Sequence, residues 1–258
     1  MKRIISILAL VVVSMSGMAQ YVNFVTDGVI EYEKRVNMYA LMQKRIAANP
    51  TGNTWQQQFF DQYKKTKPQF MNIKSTLAFS GGKSLYKTTD DTPPVNDIFG
   101  ITRSVDMRNV IFADLLAGTS ISQKNVYEET FLVKDSLRRI NWKITDETRE
   151  IAGYQCRRAN ALIMDSIYVV AFYTDEIIPS GGPESFSGLP GMILGVAMPY
   201  EHVTWFATKV STRAVTANEL LPPAKGKSIT NADLRTKLEA ALKNWGADGK
   251  TMMKSFML

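Results

Sequence analysis

The chain has 258 residues, 45% of them hydrophobic and 21% charged, and a formal charge of +7 at pH 7. This length suits one domain that buries its own core. The basic residues are dispersed, with no run denser than Lys64-Lys65-Thr66-Lys67, so we expect no nucleic-acid surface, and no apolar run is long enough for a membrane span.

The N-terminus has the pattern of a secretory signal peptide. Lys2 and Arg3 precede the apolar run Ile4–Val13, and small residues follow up to Ala19. We predict a signal peptide at 1–19, cleavage after Ala19 and a single domain over 20–258. Cysteine is missing from the cleavage region, so we expect no lipid attachment and an exported protein, periplasmic or extracellular.

Helical spacing follows the first expected strand, 28–32. The segment 36–67 is predicted to be helical, in two parts. Apolar residues recur at partly helical spacing over 36–48, and Trp55, Phe59 and Tyr63 recur every fourth residue in the second part. Asn53 or Thr54 can cap this second helix.

From Met71 the apolar pattern changes to period two, which predicts a strand meander over 71–211. Gly81-Gly82 favours a tight hairpin turn. We expect a loop at 90–97 and a turn region at 146–153. The expected strands are 71–79, 83–89, 104–112, 122–133, 137–144, 154–163, 168–173, 192–197 and 202–211.

A C-terminal helix is predicted over 230–246. Thr230 begins it, Leu234, Leu238 and Leu242 lie in its apolar stripe, and Gly246 ends it. The apolar tail 252–258 either docks on the domain or meets a partner. Many short strands with helices near both ends predict an α+β fold, a curved, half-barrel-like antiparallel β-sheet meander packed with a few helices.

A long Gly- and Pro-rich loop joins two of the apolar strands, and it also carries large apolar side chains. We interpret it as ordered and internally packed, with apolar residues placed in the core or over a cleft. It does not open a helix, so a phosphate-binding loop is disfavoured. The candidate ligand-binding or structural residues are Tyr173, Phe186, Gly188, Leu189, Pro190, Gly191 and Met192.

The hexapeptide 188–193, Gly-Leu-Pro-Gly-Met-Ile, resembles the one that names the GLPGLI family of exported Gram-negative proteins. The segment 151–159 is similar to the family's Gly-Tyr-x-Cys-x-x-Ala stretch, and 172–177 and 182–186 are similar to the two stretches that precede the hexapeptide. Met192 stands where the family name has Leu. The family has no established activity. The meander is also similar to the half-barrel of periplasmic lipoprotein carriers, at the level of fold only.

The chemistry-bearing residues are few. Cys156 is the single cysteine and His202 the single histidine, so a paired Cys/His zinc site and an internal disulfide are excluded. We favour a buried, inert Cys156; the alternatives are a reactive thiol or a copper site with His202 and methionines. Asp175, Glu176 and Glu184 flank the loop; we expect Asp175 and Glu184 to cap its amides, and the alternative is that the paired carboxylates act as acid and base.

These observations predict an exported, non-enzymatic protein, with no cofactor, that binds an apolar ligand or an outer-membrane or other envelope protein on the concave side of its sheet. The alternatives are an enzyme of unrecognised type that uses Glu184 or His202, a copper- or metal-binding envelope stress protein, and a purely structural partner of an outer-membrane protein. Recognised catalytic motifs are missing from the sequence.

Overall fold

The computed structural model describes residues 24–48, 54–89 and 105–258. The predicted signal peptide at 1–19, the Asn53 cap and the predicted loop at 90–97 lie outside these ranges. None of the helices in the described ranges has both the length and the apolar character needed to cross a membrane.

The described part of the chain contains twelve strands and four α-helices. The strands are β1 Gly28–Asn37, β2 Phe70–Ser80, β3 Lys83–Thr88, β4 Val110–Asp114, β5 Thr119–Val126, β6 Glu129–Ser136, β7 Lys143–Ile151, β8 Tyr154–Ile163, β9 Ile167–Thr174, β10 Met192–Met198, β11 Val203–Ser211 and β12 Lys227–Ile229. The helices are α1 Met38–Ala48, α2 Thr54–Thr66, α3 Asn231–Leu242 and α4 Gly246–Met257.

All twelve strands form one sheet, in the order β12-β6-β5-β4-β3-β2-β1-β11-β10-β9-β8-β7. Every pairing is antiparallel except that of β12 with β6. The first strand therefore lies in the middle, between β2 and β11, and the chain returns to it after building both halves. The predicted α+β fold on an antiparallel sheet is confirmed.

The helices cover two separate parts of the sheet. Met42 and Phe60 of α1 and α2 pack in one apolar cluster with Tyr173, Leu189 and Trp205. The other pair, α3 and α4, packs on β5 and β6 through a second cluster. That cluster contains Val126, Phe131, Val133, Leu234, Leu238, Leu242, Met252, Phe256 and Met257.

The helical segment expected at 36–67 begins later than the sequence pattern suggests. Val36 belongs to β1 because it pairs with Met71 on one side and Val203 on the other. Asn37 then caps α1, since its side-chain oxygen accepts a hydrogen bond from the Ala40 amide at 3.1 Å. The strand pairing on both sides of Val36 makes it a strand residue, although the helical spacing of the apolar residues predicted a helix there.

Several predicted strands differ from the structure. The strand expected at 104–112 begins only at Val110, and most of the turn region expected at 146–153 belongs to β7. The single strand expected over 122–133 is the β5–β6 hairpin, whose turn uses Tyr127 at a φ of 55°. Sequence reasoning missed this turn because it contains no Gly. The strand expected at 137–144 begins only at Lys143, because the Trp142 indole donates to the Ser187 carbonyl at 2.9 Å and holds that stretch against the loop.

The predicted C-terminal helix 230–246 is two helices. Thr230 caps α3 as expected, with its hydroxyl accepting from the Asp233 amide at 3.1 Å. The helix ends at Leu242, and Gly246, expected to end it, begins α4 at a φ of 55°. The apolar tail 252–258 thus lies mostly within α4 and docks on the domain.

The loop between β9 and β10 is closely packed, and its glycines differ in what surrounds them. Gly191 has a φ of 139°, and a Cβ there would overlap the Thr174 carbonyl. Gly188 also has a positive φ, 91°, but its nearest neighbour would be Trp142 Nε1 at 3.9 Å. Close backbone approach therefore requires Gly191, whereas Gly188 is needed only for its conformation.

We predict that Gly191→Ala lowers the free energy of unfolding by at least about 3 kcal/mol, because the Thr174 backbone must move as well as the substituted residue. Gly188→Ala is the matched control and should cost about 1–2 kcal/mol for its conformation alone. Urea unfolding of both variants measures the difference. Equal losses would contradict the close approach at Gly191.

Candidate functional site

The loop residues singled out by sequence are mainly core residues. Tyr173, Phe186, Leu189 and Met192 are each at most 2% exposed. Gly188 and Pro190 face solvent, and Gly191 is buried. Of this set, Phe186 alone borders the cavities described below. The hexapeptide therefore lies behind the walls of these cavities and does not form their surface.

The face of the sheet beneath α4 encloses a small cavity of about 70 Å³ that is bordered by Lys34, Glu184, Phe186 and Trp205. Lys34 is buried and donates to the Val105 carbonyl at 2.6 Å, with its ammonium 4.9 Å from the Trp205 ring centroid. Burial lowers the pKa of Lys34, and the charges of Glu184 and Asp106 oppose this. Such a cavity holds a few water molecules and is far below the size of a ligand pocket.

Glu184 is a buried acid of the loop, with an unusual φ of 51° for a residue with a side chain. Its carboxylate accepts from the Asn109 amide at 3.1 Å and from the Tyr86 hydroxyl at 3.5 Å. Burial, then the charge of Glu184, raises the pKa of Tyr86 well above its usual value. Glu184 thus anchors the loop to β3 and to the residue before β4, which differs from the expected capping of the loop's own amides.

A larger groove of about 710 Å³ lies between α3 and α4, a volume that suits a small-molecule ligand. Its floor is apolar, and exposed Arg235, Lys243 and Lys250 stand around its edge with Lys254 and Glu239. We call it the helix groove. Its apolar lining residues are Met164, Leu238, Leu242, Met253 and Met257.

A second pocket of about 380 Å³ adjoins the helix groove, because Arg235 and Met257 line both. We call it the basic pocket. Ser120, Ser122 and Lys124 alternate along β5, so all three point to the same face of the sheet. The other polar lining side chains are Asp135, Ser136, Arg138, Arg139, Ser185 and Asn231.

The end of α4 crosses the edge of the basic pocket as a row of backbone oxygens. Lys124 Nζ donates to the Phe256 carbonyl at 3.0 Å, the Arg138 guanidinium donates to the Met257 carbonyl, and the Ser185 hydroxyl donates to the Leu258 oxygen at 2.8 Å. Burial and the nearby Arg138 charge lower the pKa of Lys124 to about 8, although Glu184 acts in the opposite direction. Burial, followed by the charge of Arg235, lowers the pKa of Arg138.

The two candidate soft-metal ligands are not together. Cys156 lies on β8 next to Arg157, which pairs with Tyr173 near one end of β9. His202 lies two residues after Tyr200, whose ring contacts Tyr168 near the other end of β9. Five strand residues separate those ends, about 17 Å. Burial raises the pKa of Cys156 to about 12, so this thiol is neutral at pH 7. In the described part of the chain, no three His, Cys, Asp or Glu side chains form a group that could hold a metal.

Sequence reasoning missed the residues of both pockets. The polar alternation Ser120, Ser122, Lys124 was a usable signal, since polar residues every second position along a strand mark a face that is not purely apolar. Lys34 likewise lies at every second position of β1 with apolar Tyr32 and Val36, so a charged residue shares their face of the sheet. The remaining lining residues come from α3, α4 and the stretch after β6, and no local pattern brings these elements together.

The comparisons with known proteins are limited to a short stretch and to the fold. The family model described as "Protein of unknown function (Porph_ging)" matches residues 162–195, from the end of β8 through β9 and the whole loop. This match is consistent with a family of uncharacterised proteins. None of the curated proteins matches the chain.

Two solved structures of PNGF-II are similar to this chain. The one in the C2 space group has a TM-score of 0.51 at 14% identity, over 81% of this chain and 32% of that one. The one in the P21 space group has a TM-score of 0.48 at 16% identity, over 79% and 32%. This chain thus spans about a third of the PNGF-II chain, and at such identity the likeness concerns the fold alone.

We predict that Lys124→Met raises the free energy of unfolding at pH 7 by up to about 3 kcal/mol, because the folded state then buries no charge there. The pKa of Lys124 is about 8 in the folded state and has its ordinary value of 10.5 in the unfolded chain, so the folded protein loses this proton at lower pH. Between about pH 8 and pH 10.5 the unfolded chain therefore binds more protons than the folded one. The free energy of unfolding of the wild type thus rises relative to that of the variant as pH increases. Urea unfolding of both proteins from pH 7 to 10.5 measures this gap, and a gap independent of pH would contradict the shift.

Proposed function

We propose that this chain is an exported, non-enzymatic binding protein that holds an apolar ligand in the helix groove between α3 and α4. The observation that carries the proposal is the groove itself, about 710 Å³ with an apolar floor. Removal of apolar surface from water drives such binding, at about 25 cal/mol per Å² of surface buried.

We place the ligand in the groove between the helices that cover the sheet, whereas the sequence pattern suggested the concave face of the sheet itself. The reason is space, since the cavity enclosed on the sheet face holds only about 70 Å³. An apolar ligand of more than a few atoms fits there only after α4 leaves. The helix groove needs no such rearrangement.

A binding role is favoured over catalysis by the surroundings of the one buried loop acid. Glu184 faces two hydrogen-bond donors, Asn109 and Tyr86, and it lies beside buried Lys34. These partners hold the carboxylate in place through hydrogen bonds and charge, as expected for a structural acid. The other acid–base candidate, His202, ends the 3-10 turn Pro199–Glu201 and does not line the cavity.

We also propose that the chain belongs to the GLPGLI family and that its sheet curves into a half-barrel. The family assignment rests on the hexapeptide at 188–193 and the three stretches that accompany it. Contact between β7, at one edge of the sheet, and β11, four positions further in, supports the curvature. A β-bulge in the pairing of β1 with β11, and another between β9 and β10, would bend the sheet in this region.

We predict that residues 20–258 bind N-phenyl-1-naphthylamine, an uncharged apolar dye, with an increase in its fluorescence. Met253→Glu should weaken this binding at least tenfold, because it places a charge on the half-buried apolar floor. Met253→Leu keeps the floor apolar and should bind as wild type does.

Leu116→Glu is the matched control for added charge. Leu116 is 83% exposed in the turn after β4 and lines none of the three cavities, so its replacement should leave dye binding unchanged. Absence of dye binding by the wild type, or equal binding by Met253→Glu, would refute the proposal and favour a protein partner.

For export, we predict that the protein recovered from the envelope or culture medium of cells expressing the full chain begins at Gln20, as measured by intact mass. Replacement of Ala19 by Arg should block cleavage and leave the protein with its N-terminal segment. An uncleaved wild-type protein found in the cytoplasm would overturn the proposed location.

A further inference from the structure

We propose that the basic pocket binds an oxyanion head group, carboxylate or phosphate, so that the ligand of this protein is an anionic amphiphile. This inference rests on the proposed function, because the helix groove takes the apolar part of the same molecule. Arg235 and Met257 line both cavities, so one molecule can occupy the two together.

The charges that line the basic pocket are unbalanced. Lys124, Arg138, Arg139 and Arg235 face a single acid, Asp135. That acid is already engaged, since its carboxylate accepts from the amides of Ser136 at 2.8 Å and of Asn231 at 2.9 Å. Asp135 therefore caps the start of α3.

The two most buried cations have only uncharged acceptors. Lys124 is 6% exposed and donates to the Phe256 carbonyl, while Arg138 donates to the Met257 carbonyl and, at 3.2 Å, to the Ser185 hydroxyl. A buried cation without an anionic partner is costly, and its hydrogen bonds to a charged oxygen are about twice as strong as those to a neutral one. Glu184 adds a negative charge near Lys124 without a hydrogen bond to it, and an oxyanion in the pocket can accept from both cations directly.

The hydroxyl groups of the basic pocket suit the same ligand. Ser120 and Ser122 project from β5 on the same face as Lys124, and Ser136 of the neighbouring strand β6 and Ser185 of the loop also line the pocket. The hydroxyls of Ser120 and Ser122 can each donate one hydrogen bond to an anion's remaining lone pairs, whereas that of Ser185 already donates to the Leu258 oxygen. With a volume of about 380 Å³, the pocket has room for a carboxylate or phosphate group with its nearest carbons.

Displacement of N-phenyl-1-naphthylamine by three ten-carbon probes tests this inference. Decanoate and decyl phosphate carry the two oxyanions, and 1-decanol is the neutral match. We expect at least one anionic probe to displace the dye at a concentration at least tenfold below that of 1-decanol. The better of the two anions identifies the head group.

Arg138→Met should abolish that preference for the anion and leave displacement by 1-decanol unchanged. Lys209→Met, which removes one exposed charge from β11, is the control and should keep the preference. Lys124→Met is a second variant that should reduce the preference should Arg138→Met fail to fold.

The outcomes separate the two proposals. Dye and 1-decanol binding without any preference for an anion overturns the head-group site and leaves the apolar groove standing. A preference that survives in both Arg138→Met and Lys124→Met overturns it as well. No binding of the dye or of any probe overturns the proposed function itself.

Discussion

The constraint on which this structure depends is the burial of positive charge in the sheet. Lys34 on β1 and Lys124 on β5 are both nearly inaccessible, and Arg138 lies close to Lys124. Each buried cation requires oxygen atoms, because its unpaired burial costs several kcal/mol. The carbonyls of Val105 and of the end of α4 supply those oxygens, and the Glu184 carboxylate adds a nearby negative charge, so the cations help to hold these segments in place.

The long loop links this electrostatic requirement to the apolar core. Phe186 and Leu189 anchor it among aromatic and aliphatic side chains, and Gly191 lets it pass close to the Thr174 backbone. Held in this way, the loop presents Glu184 from a backbone conformation that is unfavourable for a residue with a side chain. Packing of the loop offsets that strain, which explains how one segment is both a core element and the carrier of a buried acid.

The helices after the sheet separate an apolar cavity from a charged one. Apolar side chains of α4 pack in one cluster with those of α3, β5 and β6, and the helix groove lies between the two helices. The backbone at the end of α4 instead faces Lys124 and Arg138. An apolar region and a cationic region therefore meet at Met257 and Arg235, and this arrangement matches the two ends of an amphiphile.

By itself, the sequence determined the α+β class and two features that depend on near neighbours, the Gly81-Gly82 hairpin, whose glycines both have a positive φ, and the Thr230 cap. Local sterics and hydrogen bonds decide these, and few residues separate the groups involved. Only the tertiary structure decided that Val36 is a strand residue, and that Arg138 meets the end of α4. Those outcomes depend on contacts between segments more than 30 residues apart in sequence, which no local pattern records.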